Sequence, residues 1–321
     1  MSNHDLPRRN FLKLSLAAAA VPVAAQRVAP RPAAQPKPPP EADKLTTYQV
    51  GPQIWIRWAN HLLTSYRAHR SQKYPYMYPV AGPLSGLSLT TETSLPYPHH
   101  RSLLFACDHV NSGDYWQGDL PAGQILSDGP KLGKCTPESA EILDTCQWQK
   151  PDGPVVMKDQ RKITITVASP RLRFIDWEIE WTAVENAVIT KTNHSLFAIR
   201  AAVDLTPLSG GTLINAEGQS GEKATFGQPS AWCGYYGKRQ NIPGDVVEGI
   251  AILDHPRNPW APTPWFTRDY GFISPTTLNF IEKPWELPAG KSVTLRYRVV
   301  LHAGDSKDAG LSDIYKTWAA A

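Results

Sequence analysis

Residues 161–181 read RKITITVASPRLRFIDWEIEW, and this stretch decides the fold class. In its first half Ile163, Ile165 and Val167 alternate with Thr. In its second half Ile175, Trp177, Ile179 and Trp181 share one parity, while Asp176, Glu178 and Glu180 take the other. Side chains along a strand project to alternate faces, so both halves predict strands with one buried face. Ser292–His302 (SVTLRYRVVLH) repeats the pattern, setting Val293, Leu295, Tyr297, Val299 and Leu301 against Thr294, Arg296, Arg298 and His302.

Turn signals separate such runs, as in Pro151-Asp-Gly-Pro154 and Leu208-Ser-Gly-Gly211. Only Asp305–Trp318 reads as a helix, with Leu311, Ile314, Tyr315 and Trp318 on its apolar side. No internal repeat and no strand–helix alternation is visible. The expected architecture is all-β: a large antiparallel β-sandwich of two curved sheets, with a short C-terminal helix.

The N-terminus has another purpose. Arg8-Arg9-Asn10-Phe11-Leu12-Lys13 is a twin-arginine box, followed by an uncharged, weakly apolar run to Ala25 and small residues suited to a signal peptidase. Residues 1–25 are expected to be an export signal read by the twin-arginine translocase, which predicts a periplasmic or extracellular protein. Residues 26–44, rich in Pro and Ala and without aromatics, read as a semi-extended linker. One sandwich domain is expected over 45–321. No run approaches the roughly 20 apolar residues that a spanning helix needs.

Seven of the 33 basic and three of the 29 acidic residues lie in 1–44, which leaves 26 of each sign in the remainder. That neutral balance removes the basic footprint of a nucleic-acid binder. Charged residues are 19% of the chain, below the roughly 25% of typical soluble domains, and there are 11 Trp. This composition leans toward aromatic platforms for neutral ligands such as sugars. Cys107, Cys135, Cys146 and Cys233 fit an oxidising compartment. Of the three possible connectivities, Cys135 with Cys146 and Cys107 with Cys233 is the expected one. No spacing suggests structural zinc.

Polar residues gather in four places. Tyr97-Pro98-His99-His100-Arg101 runs into an apolar SLLFA segment and then Asp108-His109. Adjacent histidines on a strand would diverge, so His99 and His100 converge only if Pro98 keeps them in a loop. His194 and Arg200 share parity on a predicted strand, which leaves either a site or a solvated face. Asp254-His255 ends a buried strand before a proline turn, where Asp254 alternatively caps the turn. Trp265, Arg268 and Tyr270 lie in a loop pre-set by Pro262 and Pro264.

Taken together, Tyr74-Pro-Tyr-Met-Tyr-Pro-Val80, the PHHRSLLFACDHVNSGDYW run from Pro98, Asp176-Trp177, the His194–Arg200 segment, Ala231-Trp232 and DHPRNPWAPTPWFTRDYG from Asp254 resemble the PmoA-like proteins, a bacterial family of largely unestablished function. The resemblance spans roughly residues 50–302. Ser102 stands where Gly commonly follows the HHR. The family label points to a methane monooxygenase subunit, but such a subunit is an integral membrane protein, and this chain offers no spanning segment. What the resemblance implies is a galactose-mutarotase-like supersandwich in a setting of carbohydrate use, with a concave face that receives sugars.

The leading expectation is an exported enzyme acting on a small-molecule carbohydrate, as an epimerase, lyase or hydrolase. His99 or His100 and His194 would be acid and base, since an imidazole near its ordinary pKa of ~6.5 exchanges protons at working pH. Arg101, Arg200 and Arg268 would hold ring oxygens or a carboxylate. Trp232, Trp265 or Tyr270 would stack, and Asp254 and His255 would complete the binding set. No glycosidase-type carboxylate pair stands out, and no metal or other cofactor is required. One alternative is a non-catalytic sugar-binding protein. Another is a metalloenzyme with His99, His100, His194 and His255 as ligands alongside Asp254.

Overall fold

A computed structural model describes residues 43–321 except Asp152. The expected leader and nearly all of the linker lie outside the described residues. Among the described residues nineteen strands follow in chain order. The first five are β1 (Leu45–Val50), β2 (Gln53–Trp58), β3 (His61–Arg67), β4 (Tyr76–Val80) and β5 (Leu103–Cys107). Then come β6 (Gln124–Ser127), β7 (Lys131–Cys135), β8 (Ser139–Gln149), β9 (Val155–Ser169) and β10 (Leu172–Ala183). The middle of the chain gives β11 (Ala187–Ile189), β12 (Ser195–Arg200), β13 (Thr212–Asn215), the short helix α1 (Glu222–Thr225), β14 (Trp232–Lys238) and β15 (Val247–Asp254). The last elements are β16 (Trp265–Arg268), β17 (Phe272–Pro275), β18 (Trp285–Leu287), β19 (Ser292–Ala303) and helix α2 (Leu311–Ala319).

These strands build a large antiparallel β-sandwich. One sheet runs β1-β2-β3-β4-β5-β12-β17-β16. The other runs β13-β14-β15-β19-β10-β9-β8-β6, with β7 also on β8, and β11 pairs β18 separately. The three runs that decided the fold class are neighbours. Along β10, Trp177 faces Ile163 of β9 on one side and Tyr297 of β19 on the other. Ile175, Trp177, Ile179 and Trp181 are all buried between the sheets. At about 25 cal/mol per Å2, an aromatic of this size contributes roughly 4–6 kcal/mol of burial. From the facing sheet, Phe197 stacks on Tyr297 at 4.6 Å and meets Trp177 edge-on at 5.4 Å.

A polar rivet crosses this core. Asp159 and Arg161 on β9 are both fully buried, joined by Nε–Oδ1 at 2.6 Å and Nη2–Oδ2 at 3.0 Å. The same guanidinium reaches Tyr66 Oη and the carbonyls of Pro75 and Phe105 in the other sheet, each at 3.5 Å.

The structure corrects two expectations. The helix begins at Leu311 rather than Asp305. The Asp305 carboxylate accepts the amides of Lys307 and Asp308 in a turn, and Gly310 enters the helix at φ +67°. Helix α2 covers the outer face of the second sheet, where Leu311 packs with Trp232, Ala251, Leu253 and Val300. The four cysteines are free thiols. Cys135 sits opposite Ala140, six residues before Cys146 on the same strand, which is about 20 Å away. Cys107 and Cys233 belong to opposite sheets. Stacked sheets lie about 10 Å apart, beyond the roughly 7 Å that a disulfide spans between Cα atoms. Among the described residues no helix is long and apolar enough to cross a membrane.

Candidate functional site

Three histidines from two segments meet beside the centre of the eight-stranded sheet. Strand β12 pairs with β5 in the register Ser195–Cys107, which sets the residue before β12 beside the residue after β5. Those residues are His194 and Asp108, and the Asp108 amide donates to the His194 carbonyl at 3.0 Å. The loop before β5 supplies the other two rings. There the His100 amide donates to the Tyr97 carbonyl at 3.1 Å, and Tyr74 Oη donates to the His99 carbonyl. Ser102 then enters β5 at φ +23°, a conformation glycine adopts without strain, and its hydroxyl is tied to Thr90 Oγ1 at 2.6 Å. His99 and His100 therefore lie in the loop, not on a strand, and they converge.

The nitrogens that His99, His100 and His194 present lie within 4.8 Å of one another. His99 Nε2 and His194 Nε2 are 3.1 Å apart. His194 Nδ1 faces Asp108 Oδ2 at 3.6 Å. Asp108 is otherwise an acceptor at both oxygens, from Thr192 Oγ1 and from Gln117 Nε2 at 3.1 Å. His100 stacks on Phe272 at 4.2 Å, and Arg200 Nη1 lies 3.5 Å from its Nδ1. Tyr270 covers the Arg200 guanidinium at 4.5 Å and packs against Tyr97 at 5.2 Å with the rings tilted by 34°, while Trp116 flanks His194 at 5.8 Å. Phe197 faces the opposing sheet, so strand alternation sends Arg200, three residues on, and its register partner Phe272 to the outer face.

The electrostatics follow from burial of like groups. Burial, then repulsion from His99, His194 and Arg200, pushes His100 down to about 2. Burial and His99 push His194 down to about 4, and burial lowers His99 as well. All three rings are neutral at pH 7. Burial raises Asp108 to about 6 against the hydrogen bond from Thr192. The network also selects tautomers. His194 Nδ1 has no hydrogen-bond partner among the described residues, but the Asp108 carboxylate 3.6 Å away favours a proton there, which leaves His194 Nε2 to accept and His99 Nε2 to carry the proton. Arg200 donates to His100 Nδ1, which makes that ring Nε2–H. His99 Nδ1 is left as the ring nitrogen with a free lone pair.

Of the residues singled out in the sequence, His99, His100, His194, Arg200 and Tyr270 come together. The others are placed apart. Arg101 lies over the Tyr76 ring at 5.4 Å. Arg268 pairs with Glu222 at 3.1 Å and lies over Phe266 at 4.0 Å. Trp265 is fully buried, its Nε1 donating to the Ser230 carbonyl, so it offers no face for stacking. Trp232 is covered by α2. Asp254 accepts from Asn258 Nδ2 at 2.7 Å and Thr263 Oγ1 at 2.6 Å, which makes it a turn cap. His255 lies against Trp318 in a concavity of about 340 Å3 on the second sheet, where Arg296 is already paired with Glu178. The four-histidine set is thus reduced to three. Sequence patterning does not single out Asp108, Tyr97 and Trp116, although all three lie in the segment from Tyr97 to Trp116 that carries His99 and His100. The signal for Asp108 was an acid directly after a wholly apolar strand.

A search of curated proteins gives no match. Among solved structures, the chain is similar to a galactose 1-epimerase from Lactobacillus acidophilus NCFM, at 8% identity and a TM-score of 0.37, over 81% of this chain and 98% of that one. It is also similar to a protein described as a kojibiose phosphorylase, from the human microbiome, at 10% identity and a TM-score of 0.35. That match covers 80% of this chain and only 31% of the other. Neither superposition is close enough to carry residue roles across. A family model matches residues 53–316, and the chain belongs to that family, DUF6807, a family of unknown function.

Proposed function

We propose that the histidine cluster is the active centre of an exported enzyme that moves protons on a small carbohydrate, as an epimerase, lyase or hydrolase. The observation that carries this reading is the chain Asp108–His194–His99. A carboxylate faces one nitrogen of a neutral imidazole, whose other nitrogen lies 3.1 Å from a second neutral imidazole. His99 Nδ1 takes the substrate proton, His99 Nε2–H passes its own to His194, and Asp108 stabilises the cation formed. Arg200 and the Tyr97–Tyr270 pair supply a charge and ring faces beside the acceptor atom. The twin-arginine leader supports export, and the motif resemblance supports carbohydrate use. The test is NMR of a sugar and sugar-acid panel in deuterated buffer, scoring C–H exchange, epimerisation and bond cleavage. Turnover lost in His194→Asn and reduced in Asp108→Asn is expected. Turnover indifferent to His99→Asn and His194→Asn refutes the assignment.

One observation favours a second reading. Two imidazole nitrogens 3.1 Å apart share either a proton or a metal ion, and a third imidazole nitrogen lies within 4.8 Å. Three neutral histidines suit zinc, copper or iron, and Asp108 behind His194 is the carboxylate that commonly orients a ligating ring. Stoichiometric metal in protein purified without chelator, lost in His100→Ala, selects this reading. Metal-free protein with full turnover removes it.

A further inference from the structure

We infer that the ligand of this site carries an anionic group, and that Arg200 is its receptor, which narrows the carbohydrate to sugar acids. The inference rests on the cluster being the ligand site, and it holds whether the histidines share a proton or a metal.

Arg200 is buried, 4% exposed, and among the described residues it forms no ion pair with any carboxylate. Other buried arginines are compensated. Arg161 holds Asp159, Arg239 holds Asp204, and Arg173 donates to the Ala81 and Gly82 carbonyls near Glu248. Arg200 has the face of Tyr270, one long contact to a neutral imidazole, and, as in Arg173 and Arg239, an Nε with no hydrogen-bond partner among the described residues; unlike them it has no carboxylate nearby to offset its charge.

A guanidinium does not escape burial by losing its proton in the working pH range. A buried charge without a counter-ion is costly, and such a cost persists where a ligand removes it. The carboxylate of the cluster, Asp108, faces His194 at 3.6 Å and forms no ion pair with Arg200. Sugar hydroxyls solvate a guanidinium but leave its charge uncancelled. A carboxylate cancels it and matches the two-pronged donor geometry. The Tyr97–Tyr270 pair beside it offers ring faces to the rest of a uronic or aldonic acid.

The experiment is calorimetric titration of the full protein with matched pairs: glucuronate and glucose, galacturonate and galactose, gluconate and glucitol. At least one acid is expected to bind roughly ten- to a hundredfold more tightly than its neutral partner, the range of one charge-assisted contact. The preference should collapse in Arg200→Gln and survive in part in Arg200→Lys. Neutral sugars binding as well as their acids, an acid preference unchanged in Arg200→Gln, or no binding by any acid overturns the inference. A ligand-free measurement stands beside it: Arg200→Met, which removes an uncompensated charge, should raise the melting temperature by about 2–4 °C. A fall of that size would mark Arg200 as structural and also overturn it. Acids that bind without turnover defeat the enzyme reading alone. Turnover of neutral sugars with acids ignored defeats this inference alone.

Discussion

Replacing Arg161 by Met tests the polar rivet between the sheets. The change strips Asp159 of two charge-assisted hydrogen bonds, at 2.6 and 3.0 Å, and leaves it only Trp148 Nε1 at 2.6 Å. Both partners are fully buried, so no water replaces what is lost. Breaking such a pair on one side costs about 3–5 kcal/mol, a large share of the roughly 5–15 kcal/mol by which a domain is stable. At about 2–4 °C per kcal/mol, the melting temperature falls by roughly 6–20 °C. The double variant Arg161→Met, Asp159→Asn separates an unpaired charge from lost packing. Asn keeps the acceptor for Trp148 and removes the orphaned charge, so the double variant should be more stable than Arg161→Met alone. Urea titrations read by tryptophan fluorescence and far-UV dichroism give the midpoints, and an unchanged slope keeps the comparison two-state. A cost below about 1 kcal/mol for Arg161→Met, or a double variant as destabilised as the two singles combined, refutes the claim that electrostatics hold this pair.

Acid sensitivity should reside partly in His302. Burial pushes its pKa down to about 4, against ~6.5 unfolded, so its contribution is complete above pH 6.5 and lost as pH falls through 4. The full loss is about 3 kcal/mol, and His302→Gln should flatten the pH dependence of the urea midpoint between pH 7 and 4; an unchanged slope counts against it. Gly249→Ala would set a methyl group 2.4 Å from the His302 ring and 2.7 Å from the Tyr235 carbonyl, at a cost of about 1–3 kcal/mol by thermal or urea denaturation. A neutral result would mean that the close approach of β15 and β19 is slack. Denatured, unreduced protein should react with thiol reagent at all four cysteines, and two or fewer reacting would mean that a disulfide bridges them.

The fold was legible because period two is a local property. Residues 161–181 carried the alternation in full, and β10 and β19 formed within two residues of where the pattern lay, while β9 starts six residues ahead of it, at Val155. The pattern failed where a second layer covered the outer face. Along β19, Val299, Val300 and Leu301 are all buried, because α2 lies over one side while the core takes the other. Cysteine spacing misled for the opposite reason. Cys135 and Cys146 are close in sequence, but an extended strand carries neighbours apart at about 3.3 Å per residue.

The site was legible only in part, and Asp108 and Asp254 show why. Both acids end apolar strands, both carry a histidine as the next residue, and burial raises both carboxyls to about 6. What separates them is where their partners come from. Asp254 is satisfied by Asn258 and Thr263, four and nine residues on, within a loop that prolines stiffen, so the sequence beside it already contained its cap. Asp108 has one local partner, Gln117 nine residues on, but its other oxygen is held by Thr192 and it faces His194, both more than eighty residues away and delivered by the β5–β12 register. An acid that can be capped locally has no need of the fold, and its burial is structural. An acid whose second oxygen only the fold can satisfy is held where two distant segments meet, and there it lies against a neutral imidazole whose other nitrogen is already engaged. The same test sorts the arginines. Arg268 finds Glu222 on the adjoining helix, whereas Arg200 finds no carboxylate among the described residues and its Nε has no hydrogen-bond partner there.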